Sequence, residues 1–425
     1  MKTRSLFVAA ALLIVAACAV PADARTPARP SGLRLVVIVS RHGVRSPTSY
    51  TAMTPYAARR WPAWNVPPGS LTPHGALLAT FLGAYYRAFY ANAGLFEPTG
   101  CPNADRIYAW ADTDARTQAT ADALLEGLAP GCGLTHHSAT AAPDPIFKPV
   151  PALGKADPTL AAAALSGAIG ANPNGILAAY RLPYEQLDAL LDCATSNCRH
   201  ISTLPASIAV SRSSGLASLR GPVEVASTAV EDLLLEYAEG LPGNEVGWGH
   251  LDRRMLLDLS QLYVLRRTLE DRNPYAARIT ASNLTAHVLA TLNQGATGKR
   301  NSLTSAPPAS RFIAFVGHDT NLAQIGGLLR LSWLVPGYQP NDTPPGGALV
   351  FELHDADPSV LQTTAFVQVF FVAQPLDAMR RATPASALVP VLRVPVYVPG
   401  CPALSCPIGT FNAVLQAAID PAFVR

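Results

Sequence analysis

Charge is scarce in this 425-residue chain, where only 14% of the residues are Asp, Glu, Lys or Arg and the formal net charge is +3. The basic residues form no long run, and the 7% of aromatic residues show no base-stacking pattern. Nucleic-acid binding needs a basic surface, so we expect no nucleic-acid partner. Because 49% of the residues are hydrophobic, the chain can bury a large core, in two domains or in one with a sizeable insertion.

Long apolar runs are missing beyond the N-terminus, so we expect no membrane-spanning helix. At the N-terminus, Lys2 and Arg4 precede an apolar stretch over residues 6–20 and an Ala-Asp-Ala cleavage sequence. This pattern predicts a signal peptide over residues 1–24 and a periplasmic or secreted protein. As an alternative, the residues before Cys18 loosely fit a bacterial lipobox, in which case Cys18 would be a lipidated N-terminus.

The Cys-x-x-Cys motif is absent, which disfavours a zinc site although the chain has 7 cysteines. With Cys18 set aside, an even number remains, and in an exported chain this predicts disulfides with fifteen possible pairings. Two closely spaced pairs close short loops with turn formers, and the last pair follows by elimination: Cys193–Cys198, Cys401–Cys406 and Cys101–Cys132.

Strand-like and helix-like segments occupy different parts of the chain. Apolar runs of strand length lie before residue 157 and after about residue 307, whereas the segment between them is rich in Ala and Leu at helical spacing and shows no confident strand. We therefore predict an α/β domain formed by residues 33–157 and 285–425, with a smaller, mainly helical domain inserted at residues 158–284.

Three of the predicted strands end in loops that carry arginines, histidines and carboxylates. The three groups are Arg41 with His42 and Arg45, Asp112 with Asp114 and Arg116, and His318 with Asp319. Parallel strands share a direction, so their carboxyl ends can converge on one crevice at the edge of a sheet. We expect these side chains to meet there.

The combined set of side chains suits a phosphoryl group. Arginine forks match phosphate oxygens bidentately and keep their charge at any working pH. A histidine held neutral can act as a nucleophile, and a nearby acid can protonate a departing alkoxide. An anion-binding pocket without catalysis is the alternative, and for a single histidine taken alone a structural role is the more common one.

The stretch Arg41–Thr48, which reads RHGVRSPT, resembles the RHGxRxPT signature of the histidine acid phosphatases, branch 2 of the histidine phosphatase superfamily. His318 and Asp319 resemble the later HD motif of that branch. The resemblance extends over nearly all of the mature chain to the bacterial periplasmic phytases and glucose-1-phosphatases. Its further motifs are Trp61–Trp64, Leu71–Gly75, Asp112–Thr117, Gly317–Ala323 and Asp342–Gly347.

The resemblance implies a three-layer α/β sandwich with a mixed central sheet, and an acid phosphatase that works without a metal or cofactor. His42 would be the nucleophile that forms a phosphohistidine, and Asp319 would be the proton donor. Thr48 and Asp112 fall where relatives contact substrate, and Glu231 in the insertion is a further candidate. Four residues would clamp the phosphoryl oxygens: Arg41, Arg45, Arg116 and His318.

Departures from the phytase pattern leave the substrate open. Ser49 stands where similar phytases have a lysine, His250 where relatives have an arginine, and Ser260 where they have a histidine. The expected partner is a small phosphomonoester, either a phytate-like inositol phosphate or a sugar phosphate. The alternatives are a glucose-1-phosphatase with little phytase activity and a non-catalytic binder of anionic sugar phosphates. We expect a monomer.

Other polar residues are expected outside the site. Of the acidic residues in the helix around Glu231, only Glu231 is a pocket candidate, and the others are expected on a solvated face. His136 and His137 form an adjacent pair in a polar loop, which is poor metal geometry. His354 stands alone and is expected at the surface or in a cap.

Overall fold

The computed structural model describes residues 32–193, 198–357, 363–387 and 389–425. The predicted signal peptide and the lipobox cysteine lie outside these ranges. Within them, no helix combines the length and the apolar character needed to cross a membrane.

Ten strands are present in the described ranges: β1 Leu33–Arg41, β2 Ile107–Ala111, β3 His137–Ser138, β4 Ser207–Val210, β5 Ala217–Arg220, β6 Phe312–Gly317, β7 Ala348–His354, β8 Phe366–Ala373, β9 Leu392–Val396 and β10 Ser405–Pro407. The α-helices of the same ranges are α1 Pro73–Asn92, α2 Ala115–Leu128, α3 Pro149–Ala152, α4 Pro158–Ala168, α5 Gly175–Ala179, α6 Arg181–Leu191, α7 Pro222–Glu239, α8 Arg253–Arg266, α9 Pro274–Thr280, α10 Ser282–Thr297, α11 Asp319–Leu328, α12 Leu376–Arg381 and α13 Ile408–Ala418.

The main sheet is mixed, with the strand order β10–β8–β7–β1–β6–β2–β3 and with β9 also paired to β8. Strands β1, β6, β2 and β3 run parallel to one another, whereas β7 pairs antiparallel with β1 and with β8, and β9 and β10 pair antiparallel with β8. Along β1, Val37 and Val39 belong to one hydrophobic cluster, and Val36 and Ile38 belong to the cluster on the opposite face. The continuous apolar run of β1 is therefore buried on both faces, as expected for a central strand with helices on each side. The predicted fold class is confirmed.

Helices α1 and α2 pack on the sheet with their backbones in close approach. Helix α1 begins at Pro73, because the side chain of Thr72 accepts a hydrogen bond from the backbone N–H of Gly75 (2.8 Å) and proline suits the first helical position. Where the helices cross, a Cβ added to Gly127 would lie 1.9 Å from the carbonyl oxygen of Thr80. Only glycine permits this distance between the two backbones.

The segment between the two halves of the α/β domain is mainly helical, with α4 to α9, but it also contains a hairpin formed by β4 and β5. The expectation that this segment holds no strand was therefore wrong. Each strand has only four residues, and most of these are partly exposed, so no apolar alternation marks them in the sequence. The exact limits of the inserted domain stay a prediction.

All three predicted disulfides are present in the structure. Cys101 and Cys132 are joined with a Cα–Cα distance of 5.5 Å, and the two short loops are closed with Cα–Cα distances of 5.2 Å each, by Cys193–Cys198 and Cys401–Cys406. These distances lie in the usual range for a disulfide.

The acidic residues of α7 were expected on a solvated face, but they are covered. Asp232 is 5% exposed and Glu236 is 1% exposed, and Glu239 is half-buried. Glu236 accepts a hydrogen bond from the backbone N–H of Gly247 (3.0 Å), and Glu239 accepts one from the hydroxyl of Thr72 (2.6 Å). Burial raises the pKa of Asp232 and Glu236 to about 8 and the pKa of Glu239 to about 7.

The close approach of α1 and α2 predicts that Gly127→Ala destabilises the protein. The added methyl group would collide with backbone atoms, so a helix must shift, at a cost of about 1–3 kcal/mol. In the control variant Gly167→Ala, the new Cβ in α4 meets nothing within 4 Å, and we expect a gain of up to about 1 kcal/mol from helix propensity. Urea unfolding measures both changes, and equal effects of the two variants would contradict the proposed close packing.

The buried acids predict that stability falls as the pH rises from about 4 to about 8 and levels off above that. In the unfolded chain a carboxyl ionises near its ordinary pKa of about 4, whereas Asp232 and Glu236 hold their protons to about pH 8 in the folded protein. The folded state therefore binds more protons in this window, and each group removes about 1.4 kcal/mol of stability per pH unit. Histidines with a lowered pKa act in the opposite direction, but only up to about one pH unit above their ordinary pKa of about 6.5, and they do so equally in the wild type and in the variants compared.

Glu236→Gln should reduce this loss, because glutamine keeps an acceptor for Gly247 and does not ionise. The free energy of urea unfolding is compared at about pH 6.5 and about pH 8.5. The control Glu97→Gln changes an exposed residue and should leave the wild-type slope intact. Identical slopes in Glu236→Gln and the wild type would rule out Glu236 as a source of the pH dependence.

Candidate active site

The three predicted loops meet at one edge of the sheet. The backbone N–H of His42 donates to the carbonyl of Gly317 (2.9 Å), and that of Asp112 donates to Val316 (3.0 Å), so the loops continue the register of β1, β2 and β6. The rings of His42 and His318 face each other edge-on, with their centroids 5.6 Å apart. Helices α2 and α11 begin at this edge, and their N-termini favour an anion here.

His42 is buried and is oriented by its own loop. Its Nδ1 lies 2.9 Å from the carbonyl oxygen of Gly43, so Nδ1–H donates and Nε2 keeps its lone pair. Burial, and then the charges of Arg41 and Arg45, hold the pKa of His42 well below its usual range. These effects favour the neutral imidazole, whose free nitrogen can attack an electrophile.

Two of the predicted arginines share one carboxylate oxygen. Oε1 of Glu231 accepts from Nη2 of Arg41 (2.5 Å) and from Nη2 of Arg45 (3.0 Å). Nη1 of Arg41 donates to the carbonyl of Thr343 (2.6 Å). Although burial opposes its charge, the nearby Tyr263, Asp319 and Glu231 raise the pKa of Arg41 above its ordinary value. Glu231, from the inserted segment, therefore fixes the direction of both guanidinium groups.

Behind His318 lies a small network of charges. Nε2 of His318 is 2.6 Å from Oδ2 of Asp112 and 3.2 Å from Oδ2 of Asp114. On the other side of the ring, Nδ1 is 3.4 Å from Nη2 of Arg116, which also donates to Asp114 (3.0 Å). Asp112 has no exposed surface, so it supports His318 from behind and does not face the open site.

A cationic side chain lies between the two aspartates of this network. Asp112, Asp114 and His318 place their ligand atoms within 4.8 Å of one another, a geometry that could hold a metal ion. The ammonium of Lys148 lies 2.8 Å from Oδ2 of Asp112 and 2.9 Å from Oδ2 of Asp114. Burial opposes ionisation of Asp112, but its hydrogen bonds with His318 and Lys148 lower its pKa. Lys148 thus supplies the positive charge that these two carboxylates need.

Asp319, the first residue of α11, is held by two residues of the inserted segment. The hydroxyl of Tyr263 donates to its Oδ2 (2.6 Å), and Nη1 of Arg267 lies 3.8 Å from the same oxygen. Nη1 of Arg41 donates in turn to the Tyr263 hydroxyl (3.1 Å). Burial opposes ionisation of Asp319, yet Arg267 and Arg41 outweigh it and hold its pKa well below the usual range.

A cavity of about 750 Å³ adjoins the loop that follows Arg45, and its lining includes none of the clustered arginines, histidines or aspartates described above. Its lining includes Pro47 and Ser49, which continue the loop after Arg45. Thr48, which lies between Pro47 and Ser49, is exposed. A Cβ atom added to Gly69 would lie 3.6 Å from Thr48 and 3.8 Å from Arg116, so Gly69 lies between these two residues. Thr48 is therefore at the entrance of the site.

Three residues of the site had no signal in the sequence: Tyr263, Arg267 and Lys148. Tyr263 and Arg267 are one helical turn apart, but α8 carries several other polar residues at similar spacing, so nothing in the sequence singles this pair out. Lys148 precedes a proline in a loop, and only the fold brings it to the aspartates that follow β2. His354, which was expected at the surface or in a cap, is instead fully buried and stacks on Phe366.

The family model described as the histidine phosphatase superfamily (branch 2) matches residues 32–155 and 205–372. Both matched ranges contribute to the site, because the first contains His42 and Arg116 and the second contains Glu231, Tyr263 and Asp319.

Individual proteins similar to this chain carry related names. Phytase AppA of Escherichia coli strain K12 is 35% identical over 421 residues, which covers 92% of this chain and 93% of that protein. Glucose-1-phosphatase of Salmonella typhimurium is 29% identical over 431 residues. The aligned region covers 98% of this chain and the full length of that protein. The structure of Hafnia alvei phytase in complex with tartrate superposes with a TM-score of 0.84 at 33% identity and covers 92% of this chain and 98% of that one.

The arrangement predicts that the cluster binds inorganic phosphate through Arg45. Removing a charge-assisted pair of hydrogen bonds in Arg45→Met should weaken the affinity at least about tenfold. The control is Arg34→Met, at the opposite end of β1, where the arginine pairs with Asp355 and the affinity should not change. Isothermal titration calorimetry measures both, and equal affinities for the two variants would contradict the assignment.

Proposed function

The chain belongs to the histidine phosphatase superfamily (branch 2), and we propose that the cluster around His42 hydrolyses phosphomonoesters through a phosphohistidine intermediate. The observation that carries the proposal is the state of His42. Its Nδ1 proton is bound to Gly43, its pKa is lowered, and its free Nε2 lies among arginines. A neutral nucleophile within a cationic pocket is the arrangement that attack on a phosphate ester needs.

In the first step, Nε2 of His42 would attack phosphorus while the bond to the ester oxygen breaks. The guanidinium groups of Arg41, Arg45 and Arg116 would hold the phosphoryl oxygens and the charge that they gain in the transition state. His318, supported from behind by Asp112, would be the fourth member of this clamp. The protein thereby contributes positioning and electrostatic stabilisation, which are the main sources of catalysis in phosphoryl transfer.

The departing oxygen needs a proton, and we assign its delivery to Asp319. Because Arg267 and Arg41 lower the pKa of Asp319, its carboxylate is ionised in the free protein at mildly acid pH. The proton would therefore enter with the substrate, because a phosphomonoester keeps one proton below its second pKa of about 6. Bound phosphate would also offset the charge of Arg41, which favours protonation of Asp319. Both effects favour activity in acid.

In the second step, Asp319 would act as a base. Having given its proton to the alcohol, the carboxylate would accept one from a water molecule, which attacks the phosphohistidine and releases inorganic phosphate. His42 then returns to its neutral state with Nδ1 still donating to Gly43. Tyr263 would keep the Asp319 carboxylate aimed at the ester oxygen and then at the water.

For the substrate we propose phytate-like inositol phosphates, sugar phosphates or both, as the names of the relatives suggest. Arg59 and Arg60 line the cavity beside the site and could meet further phosphates of such a ligand, although Ser49 adds no cation there. A sugar phosphatase with little activity on phytate is the second candidate, and the lack of a lysine at Ser49 favours it. A binder without catalysis would have no use for an acid placed as Asp319 is.

We also propose that the protein is exported and acts outside the cytoplasm. The predicted signal peptide over residues 1–24 and the three disulfides support this location, because disulfides persist in oxidising compartments. The periplasm of a bacterium is such a compartment. Cleavage at residue 24 or lipidation at Cys18 would both be compatible with it.

Asp319→Asn tests the proposed chemistry through the leaving group. For an alkyl phosphate, whose alkoxide needs a proton, we expect kcat/KM to fall by about 10²–10⁴-fold. For p-nitrophenyl phosphate the fall should be much smaller, because nitrophenolate leaves without a proton. The comparison uses kcat/KM because this parameter reports only the steps up to the first irreversible one. It therefore excludes hydrolysis of the phosphohistidine, a step that is the same for both esters.

His42→Ala is the companion variant and should lose activity on both esters while it keeps its far-ultraviolet circular dichroism. Equal losses on the two esters in Asp319→Asn would count against Asp319 as the acid. Full activity in His42→Ala would overturn the phosphohistidine mechanism.

A further inference from the structure

The cavity beside the phosphate cluster has fixed aromatic walls. Nε1 of Trp61 donates to the carbonyl of Met53 (3.3 Å), and its ring packs edge-on against Trp248 with the centroids 5.0 Å apart. Nε1 of Trp248 in turn donates to the carbonyl of Arg60 (2.8 Å). Trp64 lines the same space. Preformed, mainly apolar walls of this kind bind the rings of small ligands, and the few polar groups among them set the orientation.

One of those polar groups is Asp232, which α7 contributes to the cavity lining. Its side chain is 5% exposed and makes no hydrogen bond or ion pair with any residue in the described ranges. The other covered acids of α7 differ in this respect, because Glu236 is bound to Gly247 and Glu239 to Thr72. Because Asp232 lines the cavity, a ligand there can form the hydrogen bonds that the protein itself does not provide.

The position of Asp232 relates it to the phosphate site. It follows Glu231, the residue that holds Arg41 and Arg45, and it lines the same cavity as Pro47 and Ser49. A group in contact with Asp232 would therefore belong to the part of the substrate next to the scissile phosphate.

The charges of the cavity indicate which chemical group this would be. Burial, together with the charge of Glu231, raises the pKa of Asp232 to about 8, so in acid it is a neutral carboxyl that both donates and accepts. At higher pH it would repel an anion. The cations of the cavity, Arg59 and Arg60, are exposed residues at its mouth. A hydroxyl group suits the position of Asp232, and a phosphate group does not.

We propose that this cavity is the leaving-group subsite and that Asp232 is a specificity-determining residue that hydrogen-bonds a ring hydroxyl next to the scissile phosphate. This inference rests on the proposed phosphatase function and deepens it. It assigns the chain to esters of polyhydroxylated rings, and it favours rings with a free hydroxyl at that position over fully phosphorylated ones.

Asp232→Leu removes the hydrogen-bonding group and keeps the number and branching of the side-chain heavy atoms. Glucose 1-phosphate offers ring hydroxyls and p-nitrophenyl phosphate does not, so we expect the ratio of their kcat/KM values to fall about tenfold. The kcat/KM of phytate relative to glucose 1-phosphate should rise. Asp232→Asn still donates and accepts, and it should keep the first ratio within about threefold of the wild type.

Glu236→Gln is the matched control, because it alters a buried acid one turn along α7 that is bound to Gly247 and is not part of the cavity lining. It should leave the substrate ratio unchanged. A wild-type ratio in Asp232→Leu, or a parallel loss on both esters, would overturn the subsite while the phosphatase function stood. Failure of the wild type to hydrolyse p-nitrophenyl phosphate would overturn the function itself.

Discussion

The pairing of buried arginines with carboxylates from the inserted segment is the interaction on which the rest of the structure depends. Arg41 has no exposed surface, and a buried charge without a partner costs several kcal/mol. Glu231 satisfies Arg41 and Arg45 together, and Tyr263 accepts a further hydrogen bond from Arg41. The sheet edge and the helices α7 and α8 therefore form one site, because neither could bury these groups alone.

The same charges set the protonation states that the chemistry requires. Burial and the neighbouring arginines lower the pKa of His42, and Arg267 and Arg41 outweigh burial to lower the pKa of Asp319. In the proposed mechanism, the nucleophile would therefore be ready before substrate arrives, and the acid would receive its proton with the substrate. The covered acids of α7 favour low pH for a separate reason, since they are buried in the protonated form. We therefore expect activity and stability to depend on acid conditions through different residues.

Strands that are buried along their whole length could be predicted from the sequence. Strands β1 and β6 are buried along their length, so their apolar runs are continuous, and the polar residues that end them mark the sheet edge. The hairpin of β4 and β5 and the burial of Asp232 were missed because they depend on what packs against them. Tyr263 and Lys148 were missed for the same reason, since chain segments distant in sequence bring them to Asp319 and Asp112.

Direct detection of the covalent intermediate tests the central claim most sharply. The enzyme is mixed with p-nitrophenyl phosphate and quenched in alkali within the first turnover, and it should then carry one phosphoryl group. This group should be stable in alkali and lost in acid, as expected for a phosphoramidate. Peptide mapping by mass spectrometry should place that group on His42. A phosphoryl group on another residue, or active enzyme that never carries one while it turns over substrate, would contradict the account.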